Sequence, residues 1–198
     1  AIAHPFEFAM RDSGLGVTPM PLRDTQAQAG AVFTSTYGID RCAWFASTPG
    51  EQEIHRFGRS NAFERIAREC ALVRHHAGVI DLSAFARFEV SGVGAWQFLD
   101  HLGANQIPTD PGPVVLTHVL AADGGVLSEF TVTCVGPNHY RLFSAAVARR
   151  HDYDVLVARR KAHASKQAGG DVTIRDITGT QGTLHVTGPR ARDILAGQ

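Results

Sequence analysis

The stretch Val114-Val-Leu-Thr-His-Val-Leu-Ala-Ala-Asp-Gly-Gly-Val-Leu-Ser-Glu-Phe-Thr-Val-Thr-Cys-Val135 sets two apolar runs on either side of a turn rich in Asp and Gly. It reads as a β-hairpin. Asp123-Gly124-Gly125 carries the turn signal, because glycine reaches the positive φ that tight hairpin connections need and β-branched residues avoid. In the second run Phe130, Val132 and Cys134 point one way, while Glu129, Thr131 and Thr133 share the other face. One face is therefore core. The other is polar and holds a single carboxylate, whose counterpart is the functional question.

Working outward, Asn61-Ala-Phe-Glu64 has the form of a capping box. The helix after it carries Phe63, Ile66, Ala67, Cys70, Val73 and Ala77 on one face, with Gly78 placed to end it. Val79-Ile-Asp-Leu-Ser83 leads to Phe85–Ser91, whose alternation predicts a half-buried strand. Gly92 then turns the chain into a short helix with Ala95, Phe98, Leu99 and Leu102 on one side. Past the hairpin come a strand over 139–144, a helix over 146–163, strands at 172–175 and 183–187, and a helix opened by Gly188-Pro189. Adjacent strands mixed with helices predict an α+β fold, a largely antiparallel sheet flanked by helices.

Residues 1–60 have no long period, with Pro5, Pro19, Pro21 and Pro49 among clusters of Gly, Ser and Thr. Phe6, Phe8, Phe33, Tyr37, Trp44 and Phe45 make the segment too apolar for free disorder. It reads as an arm or linker, 1–60, packing on a neighbouring domain and preceding a domain over 61–198. The absence of an initial Met and the stop at Gln198, immediately after what reads as a fresh helix, read as those of a fragment.

The chain has 198 residues, 44% of them hydrophobic, and its 19 basic side chains balance 19 acidic ones. No global field draws nucleic acid or an anionic membrane, so small molecules are the expected partners. Cys42, Cys70 and Cys134 lie far apart and read as buried thiols in a reducing compartment, cytosolic or a mitochondrial matrix. No apolar run nears the roughly 20 residues of a membrane helix. The 10 histidines show no ligand spacing, and no metal site is expected. Dinucleotide, P-loop and nucleophile-elbow motifs are missing. The cluster Arg149, Arg150, Arg159, Arg160 and Lys161 reads either as a solvated helix face or as a patch for a polyanionic tail. Glu129 reads either as an exposed strand residue or as a ligand-facing acid, since it follows a glycine turn and is flanked by hydroxyls.

A resemblance weighs these alternatives. Glu69-x-x-x-Val-Arg-x-x-Ala-Gly-Val-Ile-Asp-Leu-Ser83, Phe88-x-Val-x-Gly92, Phe98-Leu99, Asn105, the Gly-Gly hairpin with Glu-Phe-Thr-Val132, Tyr140-Arg-Leu142 and Thr187-Gly-Pro189 resemble the folate-binding aminomethyltransferase family, typified by the glycine-cleavage T-protein. Upstream, Pro21-Leu22-Arg23, Gly30-Ala31-Val32-Phe33 and Trp44-Phe45 are similar to the bridge of FAD-dependent dimethylglycine and sarcosine dehydrogenases. The resemblance implies a T-protein-like fold, a tetrahydrofolate site contacted by Leu116, Leu120, Glu129, Thr131 and Thr133, and Glu129 as the catalytic carboxylate.

It further implies a one-carbon donor, and FAD only in a flavoprotein domain outside this chain. The implied reaction passes the oxidised methyl group of an N-methylated amino acid or amine to tetrahydrofolate. An aminomethyltransferase of glycine cleavage and a noncatalytic folate-binding module are the alternatives. Two positions depart from the T-protein pattern: Ala145 stands where Asn is usual, and Thr133 where Tyr is. They bear on transfer from a lipoyl-bound aminomethyl group more than on folate binding.

Overall fold

The computed structural model describes residues 20–36, 39–54, 56–166 and 170–197. In chain order the elements are α1 (Arg23–Gln28), β1 (Ala31–Thr36), β2 (Ile39–Phe45), α2 (Phe63–His75), β3 (Gly78–Asp81), β4 (Ala86–Ser91), α3 (Ala95–Leu102), β5 (Val114–Leu120), β6 (Val126–Gly136), β7 (His139–Ser144), α4 (Arg149–Lys166), β8 (Thr173–Asp176), β9 (Leu184–Thr187) and α5 (Ala191–Ala196). They fall into two compact units. One joins the described residues up to Ala84 with those from Gly179 on, and the other lies within Phe85–Thr178.

The second unit is a five-stranded sheet in the order β5-β6-β7-β4-β8, every pairing antiparallel. Alternation along the strands sends Phe88, Val90, Phe130, Val132, Tyr140 and Leu142 to one face, where each is at most 2% exposed. Ala95, Phe98 and Leu99 of α3 and Leu156 of α4 join them in that core. Their spacing puts Ala95, Phe98 and Leu99 on one stripe of the short helix. Phe88 stands edge-on to Phe130 with ring centroids 6.2 Å apart. Burying a side chain of this size contributes about 1.5–3 kcal/mol relative to leaving it in water, so the face holds the unit together.

The hairpin turn closes as its glycines require. Gly124 has φ +86°, Ala121 N donates to the Gly125 carbonyl at 2.8 Å, and Gly124 N donates to the Ala121 carbonyl at 3.0 Å. The Asp123 carboxylate accepts from Gly125 N at 3.0 Å.

The first unit contains the antiparallel pairs β1–β2 and β3–β9. Residues 20–54, expected to be irregular, thus hold a helix and a hairpin. The prolines that dominate the pattern bracket these elements and do not interrupt them. Asp40 is buried and anchored by Arg23, whose Nε lies 2.6 Å from its carboxylate.

Several local expectations are corrected. Asn61 does not cap α2, for its Oδ1 accepts from Ile54 N at 2.8 Å and its Nδ2 donates to the Gln52 carbonyl at 3.0 Å. The preceding loop claims the side chain, and the N-cap position falls on Ala62, without a side-chain bond. The helix ends at His75, and Gly78 opens β3. Cys70 is exposed, Cys42 half-buried and Cys134 buried, because α2 buries none of its residues. Strand β4 is buried on both faces and not on one, since Arg87 and Glu89 are 2% and 7% exposed. Pro189 precedes α5, whose first residue is Ala191.

Candidate functional site

Cross-strand register assembles the candidate site on the sheet face opposite the core. In the β5–β6 pairing Val114 faces Thr133, Leu116 faces Thr131 and His118 faces Glu129. Their neighbours Thr117, Val119, Phe130 and Val132 are buried on the other side, so period-2 alternation turns these six outward. The rows continue across the sheet. Thr131 pairs with Phe143 and Thr133 with Arg141 on β7, Phe143 and Arg141 with Arg87 and Glu89 on β4, and Glu89 with Arg175 on β8.

Of the residues expected at the site, the structure brings Leu116, Glu129, Thr131 and Thr133 together on this face. Glu129 is open to solvent, and one carboxylate oxygen lies 3.0 Å from His118 Nε2, with side-chain exposures of 60% and 40%. An imidazole carrying its proton on Nε2 donates to that oxygen and leaves the other free to accept from a ligand. Leu116 is exposed and supplies an apolar flank, while Thr131 and Thr133 are half-buried. The Thr133 hydroxyl donates to the Pro113 carbonyl at 3.3 Å, which ties the start of β5 to β6. Leu120 stands apart at the far end, beyond a bulge between Val119 and Leu120. Its carbonyl accepts from Arg159 Nη2 at 3.0 Å. Ala145, where the family pattern has Asn, is exposed just past β7.

Two features of this face were not read from the sequence. The first is His118. Its parity with Leu116 on β5 put it on the right face, but its partner depends on the bulge. The second is a charged cluster around Glu89. Arg175 Nε donates to Glu89 Oε1 at 2.9 Å, and Arg175 Nη2 reaches the same oxygen. His139 Nε2 lies 3.0 Å from Oε2. The Arg175 guanidinium holds the Glu89 carboxyl below the usual carboxylate range against the opposing effect of burial, and His139 adds to the lowering. No local pattern joins Glu89 to a residue 86 positions later.

The face has the chemistry of a shallow, directional ligand surface. It offers a flat apolar strip at Val114 and Leu116, hydroxyls beside it, and an acid able to accept from donor N–H groups. An antiparallel five-stranded sheet with helices packed on one face defines the class, an α+β domain whose edge hairpin turns a carboxylate outward.

Residues 22–197 match the GCVT N-terminal domain model, and the chain belongs to that family. It is 37% identical over 160 residues to the mitochondrial dimethylglycine dehydrogenase of Rattus norvegicus, covering 80% of this chain and 18% of that one. It is 28% identical over 189 residues to the formaldehyde-forming 4-methylaminobutanoate oxidase of Paenarthrobacter nicotinovorans, covering 93% and 22%. An aminomethyltransferase of Bacillus subtilis is 33% identical over 134 residues, 67% of this chain and 35% of that one. The glycine cleavage system aminomethyltransferase T of Bartonella henselae superposes with a TM-score of 0.69 at 20% identity, over 91% of this chain and 43% of that one. That likeness establishes the α+β fold. The chain spans about a fifth of the length of the dehydrogenase and the oxidase. Among the described residues no helix is long and apolar enough to cross a membrane.

Proposed function

We propose that this chain is the tetrahydrofolate-binding, one-carbon-handling portion of a demethylating flavoenzyme acting on an N-methylated amino acid or related amine. The observation that carries the reading is the outward Glu129 carboxylate, paired with His118 at 3.0 Å and set in register beside Leu116 and Thr131. The donor set fits a reduced pterin, whose ring edge presents N–H groups to a carboxylate and whose plane needs an apolar support. Leu116 would supply that support, and Thr131 and Thr133 the neighbouring hydroxyls. Bound tetrahydrofolate supplies the nucleophilic nitrogen for the one-carbon unit.

Glu129 orients the ligand and accepts a proton as a general base. His118 holds the carboxylate in one direction, which limits the rotamers the acid must lose on binding. In this reading residues 1–60 form the arm toward a flavoprotein portion, 61–198 begin the folate-binding domain, and FAD belongs to a domain outside residues 1–198. The names of two relatives, a dimethylglycine dehydrogenase and a 4-methylaminobutanoate oxidase, support the amine class.

The test uses the full-length parent protein. Tetrahydrofolate is titrated by calorimetry, and methylene-tetrahydrofolate formation from dimethylglycine and 4-methylaminobutanoate is followed, for the wild type and Glu129→Ala. The reading requires saturable folate binding by the wild type and loss of product formation in the variant. An intact parent that does not bind tetrahydrofolate would overturn it.

A further inference from the structure

On the helix side of the same sheet a cavity of about 390 Å³ lies between α3, α4 and the end of β5. Phe98, Leu102 and Val119 give it apolar walls, and His101, Arg159 and His163 give it polar ones. Its volume is within the range of small-molecule sites.

His163 is the anomaly. The residue is 6% exposed, it lines the cavity, and neither ring nitrogen has a hydrogen-bond partner. Its ring is packed against Phe98, centroids 5.8 Å apart, and against His101 at 5.6 Å. A buried polar group without a partner costs free energy that a bound group can return. An imidazole in this position offers at least one N–H donor. Arg159 is fixed at the rim by its Nη2 bond to the Leu120 carbonyl at 3.0 Å, and a guanidinium held by one N–H retains others. No Asp or Glu lines the cavity.

We propose that this cavity binds a small apolar monocarboxylate, its carboxylate meeting His163 and Arg159 and its hydrocarbon or arene body resting on Phe98, Leu102 and Val119. The lining discriminates by charge. A carboxylate finds donors, whereas the ammonium of an amino acid finds no anionic partner, so zwitterions are excluded in favour of plain acids. The site is distinct from the Glu129 face, for none of His118, Glu129, Leu116, Thr131 and Thr133 lines the cavity.

The experiment is ¹⁹F NMR of 4-fluorobenzoate with the full-length protein, reading line broadening and its reversal by unlabelled benzoate. The expected result is saturable binding that weakens about tenfold or more in Arg159→Gln, the scale of one lost charge-assisted hydrogen bond. Ala162→Phe, at an exposed helix position on the cavity wall, fills the space and abolishes broadening without disturbing the core. The neutral 4-fluorobenzyl alcohol and the zwitterion 4-fluorophenylglycine bind at least tenfold more weakly than 4-fluorobenzoate. Absence of broadening in the wild type, indifference to both substitutions, or equal binding of the three probes overturns the proposal.

Discussion

Glu129 and His118 face one another across the β5–β6 pairing, carboxylate oxygen to imidazole nitrogen at 3.0 Å, on the outward side of the sheet. An exposed pair of this kind contributes only about 0–1 kcal/mol to folding. In the proposed function its role is to fix the direction of the acid. His118→Ala is therefore expected to leave the midpoint of urea unfolding nearly unchanged while weakening tetrahydrofolate binding by the parent protein about three- to tenfold. Calorimetric titration alongside a melt checks both halves, and unchanged affinity would remove His118 from the site.

The Glu89 cluster predicts a pH dependence. Arg175 holds the Glu89 carboxyl low in the folded chain. At Asp176 burial works to raise the pKa, but hydrogen bonds from Arg149 and Thr178 outweigh it, and the net shift is downward. A carboxyl whose folded pKa is depressed adds stability that is fully present above its unfolded value and is lost as pH falls through the folded one. Stability should therefore decline as the pH drops below about 4, the ordinary carboxylate range. In Glu89→Gln the decline is shallower, and stability at pH 7 is lower by about 1–3 kcal/mol from the weakened buried network. Urea unfolding from pH 7 to pH 3 measures both, and an identical slope in the variant would contradict the assignment.

Two glycines with positive φ should respond differently to alanine. Gly124 has φ +86° and open space around a Cβ, so Gly124→Ala costs only the left-handed conformation, about 1–2 kcal/mol. Gly92 has φ +116°, and a Cβ there would run into the Asp171 carbonyl oxygen. Gly92→Ala is expected to cost more than twice as much, because backbone must move as well. Chemical denaturation of the two variants ranks them, and the reverse order would contradict the described turn geometry.

The thiols give a further contrast. Burial, reinforced by the Glu69 and Asp81 carboxylates, pushes the Cys42 thiol up to about 11, whereas Cys70 is exposed. Since the thiolate is the reactive form, iodoacetamide at pH 8 should label Cys70 well ahead of Cys42. Peptide mass mapping of briefly treated protein reads the order directly.

The hairpin could be read from sequence because its determinants are local. The Asp-Gly-Gly turn, the buried row Phe130, Val132 and Cys134, and the outward row Glu129, Thr131 and Thr133 all follow from period 2 and one turn. The partner of Glu129 could not. Counting back from the Leu120–Val126 pair puts His118 opposite Ser128, and the bulge between Val119 and Leu120 moves it to Glu129. Asn61 fits a capping box locally but spends its side chain on residues 52 and 54 of the loop before it. Glu89 sits in a strand of alternating pattern, yet it is buried because β7 and β8 flank it with His139 and Arg175. In each case the deciding contact comes from outside the local periodicity, and side-chain choice follows the contact.

In the proposed function the Glu129 carboxylate does chemistry on a bound one-carbon carrier. Glu129→Gln keeps the shape and an acceptor oxygen but removes the base. In the full-length protein the variant should bind tetrahydrofolate within tenfold of the wild type. Its methylene-tetrahydrofolate formation from dimethylglycine, in single turnover, should fall about 10²- to 10⁴-fold, the range of general-base catalysis. Product formation at the wild-type rate in Glu129→Gln would contradict the account.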